Sequence, residues 1–160
     1  MSDNYTFQDY EDLILAKLAA LKAPAGALAE LKGFAGEIVL TDAGLLAVLL
    51  NRFPAVLVEI SDAAYSPGPN PFYTQEVTVT IHICSRSLRS QDEARGGEAG
   101  AYATLDSVRQ KLLGQKLAAD LLPLLLVKEA KMAAGLTEAN EYIVIYAATY
   151  KFTNTRIQEA

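Results

Sequence analysis

Residues 76–84 read EVTVTIHIC and residues 141–152 read EYIVIYAATYKF. In the first stretch Val77, Val79, Ile81 and Ile83 alternate with Thr78, Thr80 and His82, the period-two pattern of a strand with one face in a core. In the second, Tyr142, Val144, Tyr146, Ala148, Tyr150 and Phe152 share one face, while Ile143 and Ile145 make the other apolar at its start. A strand apolar on both sides belongs inside a sheet. Its hairpin partner is expected at 124–131, across LTEAN. Helix propensity in LVKEAKMAA argues against that choice, but Pro123 interrupts any helix over 117–132.

The flanking elements follow from these two strands. AVLVEI (55–60) places Val56, Val58 and Ile60 on one face and Leu57 on the other, so it is a strand buried on at least one side. SDAAYSPGPNPF (61–72) has prolines at 67, 69 and 71 and reads as a loop. At the N-terminal end, Thr6 followed by Asp9 is a capping box, and Phe7, Tyr10, Leu13, Ile14, Leu18 and Leu21 form a helical stripe that Pro24 and Gly26 terminate. Residues 27–40 contain Gly33 and Gly36 and are expected to hold a short strand near Phe34 to Val39. A second helix is expected from Thr41 or Asp42 through LLAVLLNRF, ending before Pro54. A third, AYATLDSVRQKLLG (101–114), buries Ala101, Leu105, Val108 and Leu112, exposes Asp106, Arg109 and Gln110, and ends at Gly114. The expected fold is α+β: a mainly antiparallel sheet of about four strands with two or three helices packed on one face. One domain spans residues 1–160, with a mobile loop near 86–99 and a flexible tail from about 154.

With 160 residues, 51% apolar and 21% charged, the chain has the composition of a folded globular domain. Fourteen basic against nineteen acidic residues give a net charge of −5, which repels phosphate backbones, so nucleic-acid binding is not expected. The opening MSDNYTFQDYEDLI lacks a signal pattern, and no run reaches the roughly 18–20 apolar residues a bilayer requires. LLPLLLV is too short for that. One cysteine allows no internal disulfide and fits a reducing compartment. The expected setting is a cytoplasm, with no membrane contact.

Catalytic inventory is poor. His82, the single histidine, and Cys84 lie two residues apart on one strand face, too few ligands for zinc and without a third group to orient a base. The plain reading is a solvent-side or interface pair. Glu59, Asp62, Glu76, Asp92, Glu93 and Glu98 lie near loops in no recognisable pairing, and no glycine cluster has phosphate-binding spacing. No catalytic, cofactor-binding or metal-binding residue is assigned, and no enzyme activity is expected. The segment 85–99 carries Arg86, Arg89, Asp92, Glu93, Arg95 and Glu98, with Gly96 and Gly97 as joints. It reads either as a solvated connection or as an arm that docks on a neighbouring subunit or a tube through mixed-sign charges. The far end of the Tyr142–Tyr146–Tyr150–Phe152 row is a further candidate for an interface.

On these residues the chain resembles the tail terminator proteins of Mu-like phages and prophages with contractile tails. The features are FQDYEDLILAKL, PAVLVEI after a helix, EVTVTIHICSRSLRSQDEARGG leading into GAYATLDSVRQKLLGQ, the proline-broken LLPLLL, and the closing EYIVIYAATYKF. The likeness is one of pattern over most of the chain, and no single motif is diagnostic. It implies a structural protein without cofactors that forms a ring, usually of six copies, at the head-proximal end of the tail tube. Such a ring stops tube growth and offers a surface for head joining. The implied partners are further copies of itself, the tail tube and sheath proteins, and a neck or head-completion protein. The implied location is the host cytoplasm during assembly and then the virion tail. Two other readings stay open: a head-completion or neck adaptor of the same particle, and a small-molecule or peptide binding module with SPGPNPFY as a pocket wall.

Overall fold

The alternating stretch at 76–84 is the middle of a much longer strand. The computed structural model describes residues 5–22, 26, 28–34, 38–40, 46–48, 53–68, 71–87, 95–96, 100–136 and 142–158. In chain order its elements are α1 (Phe7–Leu18) with a 3₁₀ turn (Ala19–Leu21), β1 (Glu30–Gly33), β2 (Ile38–Leu40), β3 (Leu46–Val48), β4 (Ala55–Pro67), β5 (Phe72–Ser87), α2 (Ala101–Leu112), β6 (Leu125–Leu136) and β7 (Tyr142–Gln158). The main sheet has five strands in the order β1-β4-β5-β7-β6. All neighbours are antiparallel except β1 and β4, which are parallel. The class is α+β, with a mixed sheet of five strands rather than about four, and the two helices α1 and α2.

The central-strand reading of 141–152 holds: β7 lies between β5 and β6. Its hairpin partner is β6, longer than the 124–131 expected. Periodicity also identified the core face. Val77, Val79, Ile81 and Ile83 are fully buried, level with Val56 and Val58 on β4 and with Ala148, Tyr150 and Phe152 on β7. Tyr10, Ile14 and Leu18 of α1, and Ala101, Leu105, Val108 and Leu112 of α2, close this face. Each such aliphatic side chain contributes about 1.5–3 kcal/mol on burial. The Thr6 capping box forms on both sides: Asp9 N–H donates to Thr6 Oγ1 at 3.1 Å, and Thr6 N–H donates to Asp9 Oδ2 at 2.8 Å. Phe7 departs from the expected stripe and remains exposed. After α2 the chain reverses at Gly114, whose φ of 74° is the left-handed conformation that glycine adopts without strain.

Four expectations are corrected. Leu46–Val48, expected in a helix, form β3 and pair with β2. LLAVLL is apolar at every position, so it has no 3.6-residue period to enforce a helix, and a cross-strand partner in IVL decides the matter. Thr41 and Asp42, the proposed caps, lie outside the described residues. The strand expected near Phe34 to Val39 is two strands, β1 and β2, divided around Phe34. Residues 61–67, expected in a loop, continue β4, because β5 runs alongside them from Tyr73 to Thr78. Pro67 is tolerated at the very end of an edge strand. The tail expected to be flexible from 154 is also strand: Asn154 pairs with Gln75, and Ile157 and Gln158 pair with Tyr73 and Phe72.

Parallel pairing of β1 and β4 requires the intervening chain to cross the sheet. The crossover leaves at Phe34 and returns at Phe53, and both rings pack on a second buried cluster of Ala55, Leu57, Cys84, Ile143 and Ile145. That cluster lies on the face opposite the helices. Within the crossover, β2 and β3 form a separate two-stranded sheet, and β3 contacts β6 on the far side. The sheet is thus covered on both faces at its root.

Candidate interaction surfaces

Of the six charged residues expected to form an arm, two are described. Arg86 is the penultimate residue of β5, opposite Ile143, and its guanidinium sits 4.7 Å from the centre of the Phe53 ring. Arg95 is helical rather than looped, with its guanidinium 5.9 Å from the Tyr102 ring. Tyr102 in turn meets Tyr146 edge-on at 5.8 Å. A hydrogen bond with Tyr102, then burial, raises the Tyr146 pKa. Phe53 belongs to the back face and Tyr146 to the helix face, so the two arginines are held on opposite sides of the sheet by cation–π contacts. Arg89, Asp92, Glu93 and Glu98 lie outside the described residues. The arm begins later than expected, since residues 86 and 87 are strand.

His82 and Cys84 share a face as expected, but that face is not open to solvent at this point. Cys84 is fully buried beneath the crossover. His82 is half-buried, stacked on Phe34 at 4.3 Å with its Nε2 3.1 Å from Glu59 Oε1. Beyond it the same face turns polar: Ser61 Oγ lies 3.0 Å from Thr80 Oγ1, and Lys151 Nζ donates to Glu76 Oε1 at 3.1 Å. Among the described residues no group of three or more His, Cys, Asp or Glu side chains is placed to hold a metal ion.

A polar cluster that sequence reasoning missed lies on the helix face, where the core runs out. Tyr10, Gln75 and Asn154 are all buried. The Tyr10 hydroxyl donates to Gln75 Oε1, Gln75 Nε2 donates to Tyr65 Oη at 2.7 Å, and Asn154 Nδ2 donates to Tyr10 Oη at 3.3 Å. Burial raises the Tyr10 pKa, which keeps the phenol a donor. A signal was present. Gln75 continues the parity of Val77 to Ile83, and Asn154 that of Tyr142 to Phe152, so alternation alone assigns both to the core face. The cluster joins α1 to β4, β5 and β7 within the outer part of the sheet, the ribbon formed by 61–78 with 151–158.

On the other margin, Arg109 of α2 donates to both oxygens of Glu129 on β6, at 2.9 and 3.1 Å. The same carboxylate raises the Arg109 pKa. Beneath them the buried Tyr150 hydroxyl has no hydrogen-bond partner among the described residues. Burial, chiefly, pushes its pKa up to about 12.

The sheet's edges are the other surface feature. β6 is an outer strand with irregular register between Leu126 and Lys128 and between Lys131 and Ala133. The two residues skipped by the pairing, Val127 and Met132, are 50% and 62% exposed, and Leu125 is 64% exposed. Nearby Leu122 is exposed as well. At the opposite edge β1 covers only Ala55 to Val58 of β4. Ser61, Asp62 and residues 64–67 of β4 are all exposed. Strand edges of this kind offer unpaired backbone donors and acceptors to another chain. No protein-family model matches this chain, and no curated protein matches it in sequence.

Proposed function

We propose that this chain is a structural subunit of a phage or prophage tail that assembles as a ring on the head-proximal end of the tail tube. There it stops tube growth and presents a surface for head joining. The observation that supports this reading best is the construction of the sheet. Its interior is packed on both faces at the root, while both margins, β6 and the outer half of β4, carry exposed strand edges. Exposed large apolar side chains on an edge strand mark an association surface. The net charge of −5 suits a lumen through which DNA must slide without sticking. In this reading the partners are further copies of the chain, the tube protein, and a neck or head-completion protein. The charged segment around Arg89, Asp92, Glu93 and Glu98 is the arm that meets a neighbour, with Arg86 at its start and Arg95 within it held by aromatic rings.

The decisive experiment removes the gene from an inducible prophage that carries it. Tails of uncontrolled length that fail to join heads support the proposal, and tails of normal length overturn it. Normal tails beside unjoined heads instead favour a neck adaptor, the second reading for the same particle. The arm is tested by combining Arg89→Glu with Arg95→Glu, which is expected to lower the yield of completed particles while the purified variant keeps its cooperative unfolding. Unchanged particle yield refutes the arm.

A further inference from the structure

Four side chains at the β6 margin can share their hydrogen bonds in two ways. Arg109 bridges helix and sheet: its Nη2 donates to both oxygens of Glu129, and its Nη1 donates at 3.2 Å to Asp106 Oδ1 on its own helix. Tyr150 is level with Leu126 on β6, and Ala148 with Glu129, so Tyr150 and Glu129 are diagonal neighbours on the helix-covered face. Diagonal neighbours across strands are within reach of an aromatic and a long side chain. Among the described residues, the Tyr150 hydroxyl is the one buried side-chain polar atom without a hydrogen-bond partner. We infer that Glu129 exchanges Arg109 for the Tyr150 hydroxyl when the C-terminal half of α2 parts from β6, which makes this margin a two-position latch.

In the closed position the carboxylate is satisfied and the phenol is not. Arg109 has donors only and Asp106 is exposed on α2, so Glu129 is the acceptor beside Tyr150. In the open position each side keeps a complete pair: Arg109 with Asp106 on the helix, and Tyr150 with Glu129 on the sheet. A part-buried carboxylate that lost its arginine and gained nothing would be strongly destabilised. The phenol removes that penalty, while its unmet donor raises the free energy of the closed position. Both effects bring the two positions closer together.

Opening has a structural consequence. Leu112, the last residue of α2, is fully buried, and Leu126 of β6 packs against the same core. Parting α2 from β6 uncovers both, on the inner side of an edge proposed above for association. The latch belongs to the chain alone, so it stands or falls separately from the tail reading.

The test uses the full chain carrying Leu112→Cys, whose thiol a maleimide reaches through opening of α2. Native Cys84, fully buried on the other face, is the internal reference. Adding Tyr150→Phe is expected to slow modification of the introduced thiol roughly tenfold, the worth of a hydrogen bond to a charged group, and to leave that of Cys84 unchanged. Urea unfolding reads the same exchange without the new cysteine. Tyr150→Phe is expected to be near neutral in the parent chain. In an Arg109→Met background, where the phenol is the donor left to Glu129, it is expected to lower the folding equilibrium constant roughly tenfold. Equal thiol rates with and without Tyr150→Phe overturn the latch. So does a Tyr150→Phe effect on urea unfolding that is the same in the parent and in the Arg109→Met background. If Leu112→Cys fails to fold, the urea comparison alone decides.

Discussion

The two faces of the main sheet are built on different terms. The helix-covered face is a continuous core from Ile83 to Val77, closed by α1 and α2 and finished by the Tyr10–Gln75–Asn154 cluster. The back face is apolar only at the root, where Ala55, Leu57, Cys84, Ile143 and Ile145 lie under the crossover. Past His82 it becomes Thr80, Thr78, Glu76 and Lys151, a solvated surface. One face is covered as far as Gln75 and Asn154, beyond which Tyr73 is exposed. The other releases its outer half to water, and beside it β4 has an open edge, because β1 stops at Val58.

Emptying each core in turn separates the two faces. Ile81→Ala on the helix face is expected to cost about 3–5 kcal/mol in urea unfolding, because its site is enclosed and cannot collapse. Leu57→Ala on the back face is expected to cost about 2–4 kcal/mol, less because the thin crossover relaxes toward the cavity. Equal or reversed losses would mean that the crossover is as rigid as the helical layer.

Smaller effects refine the picture. Tyr10→Phe removes one hydrogen-bond partner each from buried Gln75 and Asn154 and is expected to cost about 1–3 kcal/mol. Hydrogen exchange at residues 73–77 is expected to speed up more than exchange at 79–83. Uniform acceleration would show that the cluster does not hold residues 73–77 in particular. Thr6→Ala removes one half of the capping box, for an expected loss of about 1 kcal/mol.

Tyr150→Phe is expected to be the mildest, within about 0.5 kcal/mol of neutral, since the hydroxyl it removes has no partner among the described residues. Its signature lies at high pH. With a folded pKa of about 12 against the usual 10, Tyr150 stays neutral in the fold while the unfolded chain ionises. Its contribution is complete below about pH 10 and is lost as pH rises toward 12. The Phe variant should lose stability less steeply across that window, as read by urea midpoints at successive pH values. Identical slopes would show that Tyr150 does not govern the alkaline limb.

Legibility varied along the chain for physical reasons. Alternation at 76–84 and 141–152 announces a half-buried and a central strand, because the side-chain period of a strand is intrinsic to its backbone. The same parity, followed outward, reaches Gln75 and Asn154, so the polar cluster is legible in the alternation. LLAVLL carried no period, and its neighbours in space, not its own composition, made it a strand. Residues 61–67 look like loop to any local rule, yet β5 beside them satisfies their backbone. The arm residues divide similarly. Their charges are plain in the sequence, but the seating of Arg86 on Phe53 and of Arg95 on Tyr102 depends on rings brought in from elsewhere.

By itself the sequence determined the two helices it marks with caps and stripes, the strand parities, the core-facing residues and the absence of a phosphate-binding or metal-binding motif. All of these follow from interactions within a few residues. The parallel β1–β4 pair, the crossover that buries Cys84, the extension of the ribbon and the identity of the free edges were decided only by the tertiary structure. They depend on which distant backbone groups find each other, and local pattern holds no record of that.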